Sequence, residues 1–279
     1  MTVLQPSSRP VSFSPSSREE GFVREPTPLR VLSTYRGLKN PQYLFNGRRE
    51  YTQTRDLAFE LFHAHPPMDH VYLGIGRSPV PVMALLKELG GVQSANLPIS
   101  GLGNKFELSP AQKVALFVRF ERAIPSAIVR SGKDFVLVDA VYKGNSMVSL
   151  ADLFPEYLAS RGLSAKTIPY AMPMGGGGID RYTGENLGGA AARQGWSFAH
   201  NHLAVDVLFR MAWADYENHA EYPKAPVTSE IVDYPHRPEN AQLRRVVRAY
   251  MADDEDLRPM LAQLNRRMAL PRDDGDTFG

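Results

Sequence analysis

The chain reads as an α/β protein, with a mostly parallel sheet covered by helices on both faces. Two observations predict this. Short apolar runs of strand length alternate with longer stretches whose apolar residues recur at helical spacing. Two of the strand runs, His70–Ile75 and the one ending at Asp139, lead through a short glycine-containing turn into a helix, as parallel β–loop–α units do.

The elements follow in order. Residues 1–30 hold six serines and five prolines and no amphipathic period. Such a leader buries too little apolar surface to offset its ordering entropy, so it is expected to be disordered. It has no charged start followed by an apolar core, so it does not read as a Sec-type signal peptide. In Thr52–His63, Leu57, Ala58, Leu61 and Phe62 share one helix face. His70–Ile75 is a short strand, and Gly76-Arg77-Ser78-Pro79 offers a turn, an N-cap serine and a proline suited to a first helical turn. A helix over Val80–Leu89 stops at Gly90-Gly91. Gln93–Ile99 is a second strand, and 101–107 (GLGNKFE) is a loop. Ser109-Pro110 starts a helix that runs to Ala123, ahead of Pro125. After the Asp139 strand come a helix from Met147 to Ser160, with a kink at Pro155, and a strand over Lys166–Ala171. Helices are expected over Phe198–Tyr216, Ala241–Tyr250 and Leu257–Ala269. The organisation is therefore a leader (1–30), an α/β core (31–195) and a helical C-terminal appendage (196–279).

Composition narrows the function classes. The 279 residues are 43% hydrophobic and 22% charged, ordinary for a globular protein with a sizeable core. A net charge of +2 gives no strong nucleic-acid signal, since such proteins need a clearly basic face. No stretch approaches the about 20 apolar residues of a membrane span. Cysteine is absent, which excludes disulfides, thiolate metal sites and cysteine nucleophiles and fits a cytoplasmic protein. The Ser/Pro-rich leader also resembles the secretion signals of bacterial type III effectors, so secretion stands as an alternative.

The segment Asp134–Leu150, DFVLVDAVYKGNSMVSL, carries the chemistry. A strand brings Asp139 to its C-terminal end, a turn of Tyr142-Lys143-Gly144-Asn145-Ser146 follows, and a helix opens. Backbone N–H groups and the positive helix end suit a phosphate, and the carboxylate suits sugar hydroxyls. Gly74–Ser78 stands in the same structural position. Arg77 and Lys143 could then neutralise different phosphates of one ligand.

GIGRSP followed by VLVDAVYKGNS resembles the core of the type I phosphoribosyltransferases, over about residues 52–171. The resemblance implies that Gly76, Arg77 and Ser78 hold the pyrophosphate of phosphoribosyl pyrophosphate. It implies that Asp139 binds the ribose, that Lys143, Gly144, Asn145 and Ser146 hold the 5-phosphate, and that 101–107 forms a lid. Asp139 and Arg77 would be the residues closest to the chemistry, Mg²⁺ the cofactor, and a homodimer a conceivable assembly. The chain departs from the family at two positions: Ala140 replaces a second acid, and Lys143 replaces a threonine. Loss of that acid removes part of any Mg²⁺ environment and puts transfer activity in question. A non-catalytic nucleotide- or ribose-phosphate-binding regulator or effector on the same fold is the alternative.

Other motifs are weaker. The Gly74–Pro79 turn has proline where a dinucleotide fingerprint needs its third glycine, and Glu88 comes too early for the ribose acid. Neither Ser78 nor Ser100 sits in a G-x-S-x-G elbow. His202 and Asp206 lie four apart and could share a helix face, but His200 and His202 would diverge. Gly175–Gly178 reads as a linker or a close approach to a ligand, with Asp180, Arg181 and Tyr182 behind it. Tyr170 and Met172 read as core, and Trp213, Tyr216 and Tyr222 could form an aromatic wall. The basic stripe Arg244, Arg245, Arg248 and the acidic run Asp253–Asp256 read as solvated faces.

Overall fold

A computed structural model of the chain describes residues 47–76, 78–97, 99, 108–141, 144–173, 195–201, 204–205 and 238–269. The elements are α1 (Arg48–Ala64), β1 (His70–Ile75), α2 (Val80–Glu88), β2 (Ser94–Leu97), α3 (Pro110–Ala123), α4 (Ser126–Val129), β3 (Asp134–Val141), α5 (Asn145–Ser160), β4 (Thr167–Pro173), β5 (Ser197–Phe198), α6 (Pro238–Ala252) and α7 (Leu257–Ala269). The leader, the segment 101–107, the glycine run and the aromatic residues 213, 216 and 222 lie outside the described residues.

All five strands are parallel, in the order β2-β1-β3-β4-β5. Burial on both faces explains the near-continuous apolar runs of β1 and β3, because alternation would put polar groups under one helical layer. Phe135, Val136, Leu137 and Val138 are all fully buried. The two faces have different covers. Tyr72, Val136, Val138, Tyr170 and Met172 pack with Leu57, Leu61 and Phe62 of α1, Met83 and Leu86 of α2, and Val247 and Leu261 of α6 and α7. Val71, Leu73, Phe135, Leu137 and Ala171 pack with Leu116 and Phe120 of α3 and Leu150 and Phe154 of α5. Edge-to-face aromatic contacts tie that second layer together: Phe154 meets Phe120 and Phe135, each at 5.3 Å, and Tyr157 meets Phe120 at 5.2 Å.

Local signals account for several boundaries. Ser109 closes a full capping box on α3, its Oγ accepting the Gln112 N–H while the Gln112 side chain accepts the Ser109 N–H. Pro155 sits inside α5 on its exposed side, so the Ala151 carbonyl that it cannot serve is on the face nearer water.

Several expectations are corrected. The α2 cap falls on Pro79, one residue past Ser78, and carries no side-chain cap bond. Phe198, expected to open a helix, instead lies in strand β5 with Ser197: Tyr170 pairs with Ser197, and the Ala199 N–H continues the ladder to the Ala171 carbonyl (2.9 Å). The charged faces are not simply solvated. Arg244 and Arg248 both donate to the buried Glu88 carboxylate, which fastens α6 to α2. Asp254, in the α6–α7 turn, is buried and accepts from Arg55 (2.8 Å) and from the Tyr51 hydroxyl (2.8 Å). Removing one partner of so buried an ion pair costs about 3–5 kcal/mol, since the other charge stays unpaired. Tyr170 and Met172 are core, each 1% exposed.

Among the described residues, no helix is long and apolar enough to cross a membrane.

Candidate site at the sheet switch point

The chain runs from β1 outward to β2, then crosses back to place β3 on the other side of β1. Consecutive connections diverge between β1 and β3, which leaves a crevice at the carboxyl ends of these two strands. The last registered pair is Gly74 with Val138, and Ile75 and Asp139 come next. Asp139, expected to end its strand, lies two residues inside β3, which runs on to Val141 and pairs Asp139 with Ala171. Both sequence-selected loops therefore leave the same crevice. One joins β1 to α2 and the other β3 to α5.

Asp139 extends from the face that carries Phe135, Leu137 and Val141. The residue is half-buried, and burial pushes its carboxyl well above the usual carboxylate range. The Ala140 N–H, donated to that carboxylate, pulls the other way and does not prevail. A carboxyl poorly solvated at a crevice is primed to take hydrogen-bond donors or a cation from a ligand.

The β3–α5 loop ends in Gly144, which serves as N-cap at φ +73°, a left-handed conformation costly for residues with a Cβ. No side chain caps α5, and no acid occupies its first turn. The Asn145, Ser146 and Met147 N–H groups precede the first intrahelical donor, Val148, which bonds to Gly144. The first turn of a helix has no preceding turn to bond to, so its N–H groups and the positive end of its dipole make a helix start a suitable seat for a phosphate.

The β1–α2 loop differs. Gly76 (φ +65°) donates its N–H to the Leu97 carbonyl at 2.8 Å, and a Cβ there would sit 2.9 Å from the Ile99 carbonyl. Its backbone is occupied with holding the segment after β2. Pro79 at the N-cap and Pro81 in the first turn have no N–H, and Val80 and Val82 are buried in the core. The amide cradle expected of Gly76 and Ser78 is thus reduced, and an anion here would depend on side chains. Arg77 and Lys143 lie outside the described residues, as do His202, Asp206 and the side chain of Asn145.

One polar group at this edge escaped the sequence reading. Asn96, near the end of β2, pairs with Gly74, and its Oδ1 lies 2.8 Å from where a Gly74 Cβ would stand. That oxygen is buried and has no hydrogen-bond partner among the described residues. The signal was a lone amide in the strand SANL opposite a glycine. Asn201 caps a helix start, its Oδ1 accepting the Ala204 N–H (3.1 Å). Among the described residues no cluster of three or more His, Asp or Glu side chains could hold a metal. Among the described residues, a divalent ion at the crevice would find the carboxylate of Asp139, and ligand oxygens would have to supply most of its shell.

Compared with protein-family models, with curated proteins and with solved structures, the chain gives no match.

Proposed function

We propose that this protein binds a phosphorylated ribose in the β1–β3 crevice, as a phosphoribosyltransferase-like protein. The observation that carries the reading is the convergence, at one switch point, of Asp139 and an uncapped helix N-terminus preceded by a left-handed glycine. Asp139 accepts from ribose hydroxyls, and the first N–H groups of α5 take the 5-phosphate with Lys143. Arg77 is the group that would answer a second phosphate at carbon 1. Transfer would then rest on positioning and on stabilising the departing pyrophosphate.

One observation favours the second reading, a non-catalytic binder of ribose phosphates or nucleotides. The β1–α2 turn has few backbone donors for a leaving group, because two are prolines and Gly76 is already bonded to Leu97. Titration calorimetry with phosphoribosyl pyrophosphate, ribose 5-phosphate and a nucleoside monophosphate, with and without Mg²⁺, tests binding. Lys143→Ala should weaken all three by roughly tenfold, the value of one charge-assisted contact. Pyrophosphate release on adding a panel of bases and amines selects the transferase; binding without release selects the regulator. No heat with any of the three ligands rejects both.

A further inference from the structure

We propose that the α1–β5 junction is an acid-sensitive latch, in which protonation of His65 releases β5 and the Ala199–Asn201 turn from β4 and α1.

Strand β5 is two residues long and, among the described residues, the last strand of the sheet, so its ladder to β4 holds it weakly. Side chains from the end of α1 supply the rest. His65, 7% exposed, shares a hydrogen bond with the Ser197 hydroxyl through Nε2 at 2.9 Å. Glu60, one turn earlier, accepts the backbone N–H groups of His200 and Asn201 just beyond the strand. The Tyr72 hydroxyl donates to the His65 carbonyl and fixes the backbone from which the ring projects.

The surroundings of His65 leave no good place for a positive charge. The His70 ring on β1 meets it edge-on at 5.3 Å, and the Tyr170 ring on β4 does so at 5.9 Å. His70 Nδ1 is bonded to the Pro66 carbonyl, which can only accept, so that nitrogen carries its proton toward the turn. The Tyr170 hydroxyl is buried without a partner among the described residues. Among the described residues, Glu60 is engaged by the His200 and Asn201 amides, and the Lys133 ammonium donates to the Pro67 carbonyl (2.8 Å). Neither is bonded to the His65 ring.

Burial, then the neighbouring His70, hold the His65 imidazole down to about 4. A released His65 titrates near its ordinary 6.5. The released form therefore takes up the proton first: the latch is at full strength above pH 6.5 and weakens as pH falls from there toward 4.

Hydrogen exchange of the Ala199 amide, corrected for intrinsic exchange rates, reads the latch directly. Protection there should fall at least about tenfold between pH 7 and pH 4.5, while the β3 amides of Val136 and Val138 hold theirs. His65→Gln should flatten that response, and His70→Gln should move its midpoint to higher pH by removing the adjacent charge. Should His65→Gln fold poorly, the wild-type imidazole resonance of His65 serves: it should titrate well below 6.5, toward 4, while Ala199 loses protection progressively as pH falls from 6.5. A wild-type response retained in His65→Gln, a His65 titrating near 6.5 with Ala199 unchanged, or simultaneous loss at Ala199 and β3 would overturn the proposal.

Discussion

The β1–α2 and β3–α5 connections occupy neighbouring positions at one sheet edge, each a glycine at positive φ ahead of a helix, yet their backbones serve different ends. Gly76 bends the chain so that its N–H can reach Leu97, and the helix that follows begins with prolines inside the core. Gly144 bends the chain into α5, which no side chain caps and whose first turn holds neither an acid nor a proline. A glycine before a helix is thus not by itself a phosphate seat. What also counts is whether the helix that follows opens on N–H groups, as α5 does, or on prolines, as α2 does.

That contrast can be broken by substitution, beginning with the glycines. Gly76→Ala forces a Cβ into a left-handed conformation and against the Ile99 carbonyl, so it should cost about 2–3 kcal/mol in denaturant unfolding. Ribose 5-phosphate affinity, measured on the folded fraction, should hold. Gly144→Ala should cost less stability, about 1–2 kcal/mol, and weaken ribose 5-phosphate by roughly tenfold or more. Equal losses of affinity in the two variants would erase the distinction between the loops.

Asp139 gives the next effect. Its folded carboxyl is raised above the ordinary value of 3.8 by burial, so protonation is favoured in the folded state. The stability this contributes is complete below pH 3.8 and is lost as pH rises through the folded value. Asp139→Asn should therefore raise the thermal midpoint at pH 7 and flatten its decline above pH 4, while ligand binding falls. A variant less stable than the wild type at neutral pH would show that the carboxylate is a structural anchor instead. The smallest effect is expected at Ser78, which does not cap α2: Ser78→Ala should change stability by no more than about 0.5 kcal/mol. A larger loss would mean that the first loop depends on that hydroxyl after all.

Helices α6 and α7 and the candidate site were legible to different degrees. The limits of β1 and α7 follow from their apolar patterns, and Ser109 marks the start of α3 through its capping chemistry. Helical spacing also put Arg244 and Arg248 on one face, but it could not say that Glu88 of α2 lies beneath them. Likewise Asp254 reads as one acid in an exposed run until the fold brings Arg55 and Tyr51 to it from some 200 residues away. Strand β5 was missed because two residues are too few to display a period.

The sequence by itself determined the α/β class, the glycines ahead of α2 and α5 and the acid toward the C-terminal end of β3, because each is written in residues adjacent along the chain. Periodicity, turn residues and capping are local, and local chemistry acts before the chain has collapsed. The strand order that sets the loops side by side, the loss of Gly76's amide to Leu97 and the desolvation of Asp139 were decided by the tertiary structure. Each depends on which segment lies across a strand or over a carboxyl group, and that is fixed only when distant residues pack together.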